Sequence, residues 1–131
     1  MNIYQLETPV LVVDKTVFEK NLNAMAELAK GKKAKLRPHF KSHKCSKISL
    51  MQLKLGAKGI TASKISEAEV LVKSGVKDIL IANQIVQPTK IQRLARLAKK
   101  CRLTVCVDDI ENVKALSCAC QKKQVYPIPF N

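Results

Sequence analysis

The densest chemistry in the chain is the run Arg37, Pro38, His39, Phe40, Lys41, Ser42, His43, Lys44. Both histidines of the sequence fall inside it. A lysine amine attacks a carbonyl carbon only in its neutral form, and cationic neighbours disfavour the charged form. Lys41, crowded by Arg37, His43 and Lys44, therefore has the surroundings expected of a Schiff-base lysine. If the run is extended, alternation puts Arg37, His39 and Lys41 on one face. A basic surface loop that binds phosphate accounts for the same residues equally well, and the run alone leaves both readings open.

Positioning such a lysine takes a scaffold, and the chain alternates short apolar runs with amphipathic stretches. Residues 9–13 form an apolar strand after Thr8-Pro9, and residues 35–40 a second extended run. Pro38 is tolerable there only where a ladder bond is missing. Further strands are expected at residues 59–61, 79–82 and 103–107, with a last extended piece near 124–128. Between them, Phe18, Leu22, Met25 and Ala29 recur at helical spacing, as do Ile48, Met51 and Leu55. Ala68, Leu71 and Val72 mark another helix, Ile91, Leu94, Ala95 and Ala98 the next, and Val113, Leu116 and Cys120 the last. Gly31, Gly56 and Gly75 stand where the first three should stop. Ser66 reads as an N-cap, with Glu67 and Glu69 in the first turn. Strands alternating with helices imply βα units and a parallel α/β sheet. In such folds ligands bind at the C-terminal strand ends, where Lys41 falls. Periodicity leaves open a doubly wound sheet and a (β/α)8 barrel, of which this length supplies about half.

Composition sets the class. With 47% apolar and 26% charged residues the chain reads as a soluble, single-domain protein. No apolar run reaches the about 18 residues that a membrane span requires, and the first residues do not resemble a signal peptide, so a cytoplasmic location is expected. Five cysteines, an odd number, argue for free thiols rather than a disulfide framework. Cys118 and Cys120 form a C-x-C pair, but no second Cys or His pair stands at zinc-site spacing. A net charge of +14 raises nucleic-acid binding as a function class. The lysines, however, cluster where helices end, at Lys30, Lys32 and Lys33, at Lys99 and Lys100, and at Lys122 and Lys123. No aromatic residues interleave with them for base stacking. We read the charge as a solvated surface.

The segment R-P-H-F-K-S-H-K resembles the cofactor-lysine motif of the D-threonine aldolase/D-serine dehydratase-like family, related to the alanine racemase N-terminal barrel. Other motifs match in order: Thr8-Pro9 before an apolar run ending at Asp14, Gly59-Ile60-Thr61 with Glu67-Ala68-Glu69, and the segment from Asp78 through Asn83 to Val86. The resemblance runs from about Thr8 to about Leu116. It implies a fold-type III pyridoxal-phosphate barrel in which Lys41 forms the Schiff base and His39 contacts the cofactor. Thr61 and Asn83, at the ends of the next two strands, would line the pocket. The implied reaction is metal-assisted lysis of a β-hydroxy D-amino acid, of the aldolase or the dehydratase type.

The resemblance also sets expectations for what is missing. The phosphate loops and metal ligands of the relatives come later in their sequences, and the His-x-Cys or His-x-Asp metal pair has no counterpart here. Tyr126-Pro127-Ile128-Pro129 makes a poor central strand where the family would continue into one. Residues 1–131 are therefore read as the truncated N-terminal part of such a domain: a partial barrel of about four βα units, preceded by one N-terminal strand. It would be inactive alone, and served by a homodimer partner or a complementing C-terminal chain. The alternative is a non-catalytic remnant or basic binding protein.

Overall fold

A computed structural model describes residues 2–123 and 128–130. Its helices are α1 (Lys15–Ala29), α2 (Ser46–Lys54), α3 (Ile65–Lys73), α4 (Pro88–Leu97) and α5 (Ile110–Gln121). Its strands are β1 (Ile60–Ala62), β2 (Asp78–Ile81), β3 (Arg102–Cys106) and β4 (Ile128–Phe130). All pairings are parallel, and the spatial order is β1-β2-β3-β4. On the far side of β1, His39 bridges Thr61 in the same sense. Each new strand is thus added to the same edge. A doubly wound sheet reverses direction at a switch point. This one does not among the described residues, so the arrangement is an arc of a (β/α)8 barrel.

Strand alternation divides the sheet into two faces. Ile60, Ala62, Ile79, Ile81, Leu103 and Val105 are buried in one cluster with helix residues such as Leu71, Leu94 and Leu116. The other face carries the in-register row His39, Thr61, Leu80, Thr104, and below it Arg37, Gly59, Asp78 and Arg102. Lys41 follows His39 in a 3-10 turn just past the upper row.

The lower row explains a glycine. Arg37 Nη1 lies 2.8 Å from Asp78 Oδ1, crossing over the buried Gly59. A Cβ on Gly59 would stand 2.6 Å from the Asp78 carbonyl oxygen and collide with the Arg37 guanidinium. Only a residue without a side chain lets this ion pair tie the His39 segment to β2. The pair is a charge contact without hydrogen-bond alignment, and Arg102 Nε adds a second cation at 3.9 Å.

Several sequence expectations change. Residues 9–13 join no strand, and Val10, Leu11, Val12 and Val13 are all exposed. An apolar run becomes a strand only when a neighbour accepts its hydrogen bonds, and none does so among the described residues. In α2 the buried face is Ser49, flanked by Leu50 and Leu53 packed on the core. Met51 and Leu55 instead face α1 across a groove shared with Leu22. The cap of α3 is Lys64, which places Ser66 inside the helix. Pro129 does sit in a strand, in register with Val105. As β4 is the last strand of the order, Pro129 costs no ladder bond on a second side. The extended piece expected at 124–127 lies outside the described residues.

Candidate cofactor-lysine site

Arg37 and His39 share the inner face, as expected, but the alternation stops there. After the His39 bridge the chain enters a single 3-10 turn, Phe40–Ser42, which carries Lys41. Phe40 anchors the turn by burial in the core cluster, 3% exposed. The turn closes with a hydrogen bond from Lys44 N–H to the Phe40 carbonyl (2.8 Å). Lys44 holds a left-handed φ of 48°, a conformation that a side chain makes costly. Lys41 is thus presented just past the C-terminal end of the bridged segment, exposed, between a buried anchor and a strained closure.

The predicted crowding of Lys41 is only partly realised. Arg37 does not join it, being held by Asp78 at the N-terminal end of β2. His43 turns the other way. Its ring meets Phe40 edge-on at 5.7 Å, and its Nδ1 accepts the Cys45 N–H (3.1 Å), fixing the entry into α2. Burial lowers the His43 pKa. His43 is a positioning residue for the turn.

His39 is the group coupled to Lys41. Its Nδ1 accepts the Lys41 backbone N–H (3.3 Å), so the proton of the neutral ring belongs on Nε2. Burial, and then the Lys41 charge, lower its pKa, while Glu67 pulls it back up. Hydrogen bonding and electrostatics therefore agree on a neutral imidazole beside the lysine. No carboxylate lies within ion-pair distance of Lys41 Nζ among the described residues.

The next two strand ends complete the rim. Thr61 is 8% exposed in the row beside His39. Asn83 is exposed just past β2, its Oδ1 accepting the Gln84 N–H (3.0 Å). Gln84 Nε2 in turn donates to Asp108 Oδ2 (2.9 Å), joining the loops after β2 and β3. Sequence reading overlooked Glu67 as a rim residue. It is 7% exposed, and its Oε2 accepts the Ser63 N–H (2.7 Å) just past β1. Glu67 reaches back one residue beyond the Lys64 cap, to Ser63, so the capping-box pattern did not announce it.

Cys118 and Cys120 lie two apart on α5, one exposed and the other buried, so they do not form a chelating pair. No group of three His, Cys, Asp or Glu residues that could hold a metal occurs among the described residues. No described helix is long and apolar enough to cross a membrane.

Comparison with known proteins decides the family. The model of the alanine racemase N-terminal domain matches residues 13–129. The chain belongs to that family. It is 45% identical over 113 residues to a D-threonine aldolase of an Arthrobacter species, covering 86% of this chain and 30% of the aldolase. With a 3-hydroxy-D-aspartate aldolase of Paracoccus denitrificans it shares 40% over 124 residues, 93% of this chain and 32% of the relative. The crystal structure of D-threonine aldolase from Filomicrobium marinum superposes with a TM-score of 0.95 at 44% identity, over 98% of this chain and 35% of that one. The chain spans about a third of the length of these relatives. The resemblance first seen at the lysine motif thus extends through the sheet and into β4.

Proposed function

We propose that this chain carries the cofactor-holding lysine of a pyridoxal-phosphate-dependent lyase for β-hydroxy D-amino acids, with Lys41 as the attachment residue. The observation that carries the reading is the presentation of Lys41 just past the C-terminal end of the His39 segment, beside a neutral imidazole. The relatives are D-threonine and 3-hydroxy-D-aspartate aldolases, whose substrates share a D configuration and a β-hydroxyl.

The residues fit the cofactor. Lys41 supplies an amine with no competing carboxylate among the described residues, and His39 supplies a flat, uncharged ring with a donor at Nε2. Thr61 and Asn83 would line the same rim. Bound there, the cofactor supplies an electron sink for charge developing at the substrate Cα. The protein's part is to hold and to move protons. With cofactor bound, Lys41 Nζ would be the group placed to take up a proton at the rim and to return it. Glu67 holds the Ser63 loop against the rim and acts on His39 through its charge. The divalent metal that the resemblance implies has no fitting ligand set among the described residues, and no step is routed through it. Cofactor attachment and turnover are separable on this reading, since catalysis also needs an oriented hydroxyl and misplacement alone costs about 100-fold.

The test has two readouts. Titration with pyridoxal phosphate should give saturable attachment by absorbance in the wild type and none in Lys41→Ala. Aldehyde or pyruvate release from D-threonine, D-serine or 3-hydroxy-D-aspartate, with added divalent metal, should stay at background. Equal attachment in Lys41→Ala would overturn the residue assignment. Robust turnover would overturn the division of labour.

A further inference from the structure

The two histidines beside Lys41 make the same local contact. His39 Nδ1 accepts the Lys41 N–H (3.3 Å) and His43 Nδ1 accepts the Cys45 N–H (3.1 Å), each from two residues on. Their tasks then divide, His39 standing at the rim and His43 turning into the scaffold. His43 Nε2 is buried without an aligned hydrogen bond, and so is Gln52 Oε1 on α2. The two atoms are a pair. Burial lowers the His43 pKa, and hydrogen bonding to the Gln52 side chain opposes that shift. A neutral ring whose Nδ1 accepts carries its proton on Nε2, and the Gln52 carbonyl oxygen is the acceptor for it.

Packing alone does not call for an amide at position 52. Gln52 lines a cavity of about 210 Å³ with Leu22, Met25, Leu36, Pro38 and Leu55, all apolar. An amide buried among such side chains costs free energy unless it is hydrogen-bonded. Methionine has nearly the same shape and would fill the place without that cost. What the amide adds is an acceptor for His43. The ring it holds is the brace of the lysine turn. That ring meets Phe40 edge-on, the His43 N–H donates to the Phe40 carbonyl (3.3 Å), and Cys45 caps α2 with no side-chain bond of its own. Lys41 lies between Phe40 and His43, so its backbone is held from both sides. The left-handed Lys44 that closes the turn persists only where its neighbours over-determine it.

We infer that Gln52 is a positioning residue for Lys41: from α2 it fixes the His43 ring and, through that ring, the turn that presents the lysine amine. It acts through His43 and not on the amine itself. The inference rests on the reading of Lys41 as the attachment residue, and it adds a residue 11 positions further along the chain to the machinery of that site.

The experiment labels the purified chain with substoichiometric pyridoxal phosphate, fixes the adduct with borohydride and compares Lys41 with Lys20, an exposed lysine on α1, in the same sample. Gln52→Met should lower the Lys41-to-Lys20 ratio by about fivefold, the weight of one net hydrogen bond, while the urea midpoint stays at or above that of the wild type. Gln52→Glu keeps an acceptor at the same place and should restore the ratio to within about twofold of the wild type. His43→Asn keeps an acceptor for the Cys45 N–H but has nothing for Gln52 to hold, so it should lower the ratio too. Adding Gln52→Met to it should then do no further harm, because the two residues act as one unit. A wild-type ratio in Gln52→Met, no rescue by Gln52→Glu, or losses that multiply in the double variant would each overturn the inference while leaving the Lys41 reading intact. Absence of any Lys41 preference in the wild type would overturn the Lys41 reading, and this inference with it.

Discussion

Gly59→Ala puts one methyl group into the narrowest place in the fold. Its carbon would stand 2.6 Å from the Asp78 carbonyl oxygen and 3.0 Å from Asp78 Cγ, besides striking the Arg37 guanidinium. Carbon contacts relax at about 3.5 Å or more, so something must move by about an ångström. Gly59 has no left-handed φ, so the penalty is steric alone. The carbonyl belongs to β2 and cannot retreat without straining the ladder. The guanidinium can retreat, but only by leaving Asp78. Overpacking of this kind costs about 1–3 kcal/mol. Loss of the charge contact adds about 1–2 kcal/mol, reduced from the buried-pair value because the side chains are 21% and 18% exposed. Together we expect about 3 kcal/mol, a urea midpoint lowered by about 2 M for a slope of about 1.5 kcal/mol per molar. In an Arg37→Met background the same substitution should cost about 1 kcal/mol less, because one of its two obstacles is gone. A loss below about 0.5 kcal/mol, or a cost unchanged by removal of Arg37, would refute the close-approach account.

Other expectations follow from the same geometry. His39 and His43 both have lowered pKa values, burial being the first cause in each. The unfolded chain takes up protons at about 6.5 while the native one resists, so stability is full above that pH and falls as pH drops through it. Urea midpoints at descending pH should show the loss, and His43→Gln should flatten it. Lys44→Gly should stabilise the chain by up to about 1 kcal/mol in thermal unfolding, since a left-handed side chain costs about 1–2 kcal/mol and glycine entropy returns part of it. Arg93 forms a bidentate pair with Glu69 between α4 and α3, with Nε at 2.8 Å, but the two side chains are 36% and 37% exposed. Arg93→Ala should therefore cost less than about 1 kcal/mol, and less still at high salt.

The legible parts of the chain were those governed by local pattern. Ile79 and Leu103 stand in apolar runs that become β2 and β3, and Leu94 lies in a helical repeat that becomes the buried face of α4. The lysine motif was legible because its residues are contiguous. Features made by partners distant in sequence were not. Nothing at Gly59 announces that an ion pair from Arg37 to Asp78 passes above it. Residues 9–13 carry a strand pattern, yet a ladder requires a neighbour. The alternation through Lys41 failed because burial of Phe40 ends the extended run one residue earlier and starts a 3-10 turn. Ser66 looked like a cap because small hydroxyl residues favour that place, but Ile65 is already helical.

The central claim is that one lysine among many is the attachment point. Incubation with pyridoxal phosphate, reduction with borohydride and mapping of the modified peptides by mass spectrometry tests it directly. Substoichiometric cofactor should label Lys41 before any other lysine. In Lys41→Ala the label should fall to the level of the surface lysines. Labelling spread evenly over the basic surface, unchanged by loss of Lys41, would contradict the account.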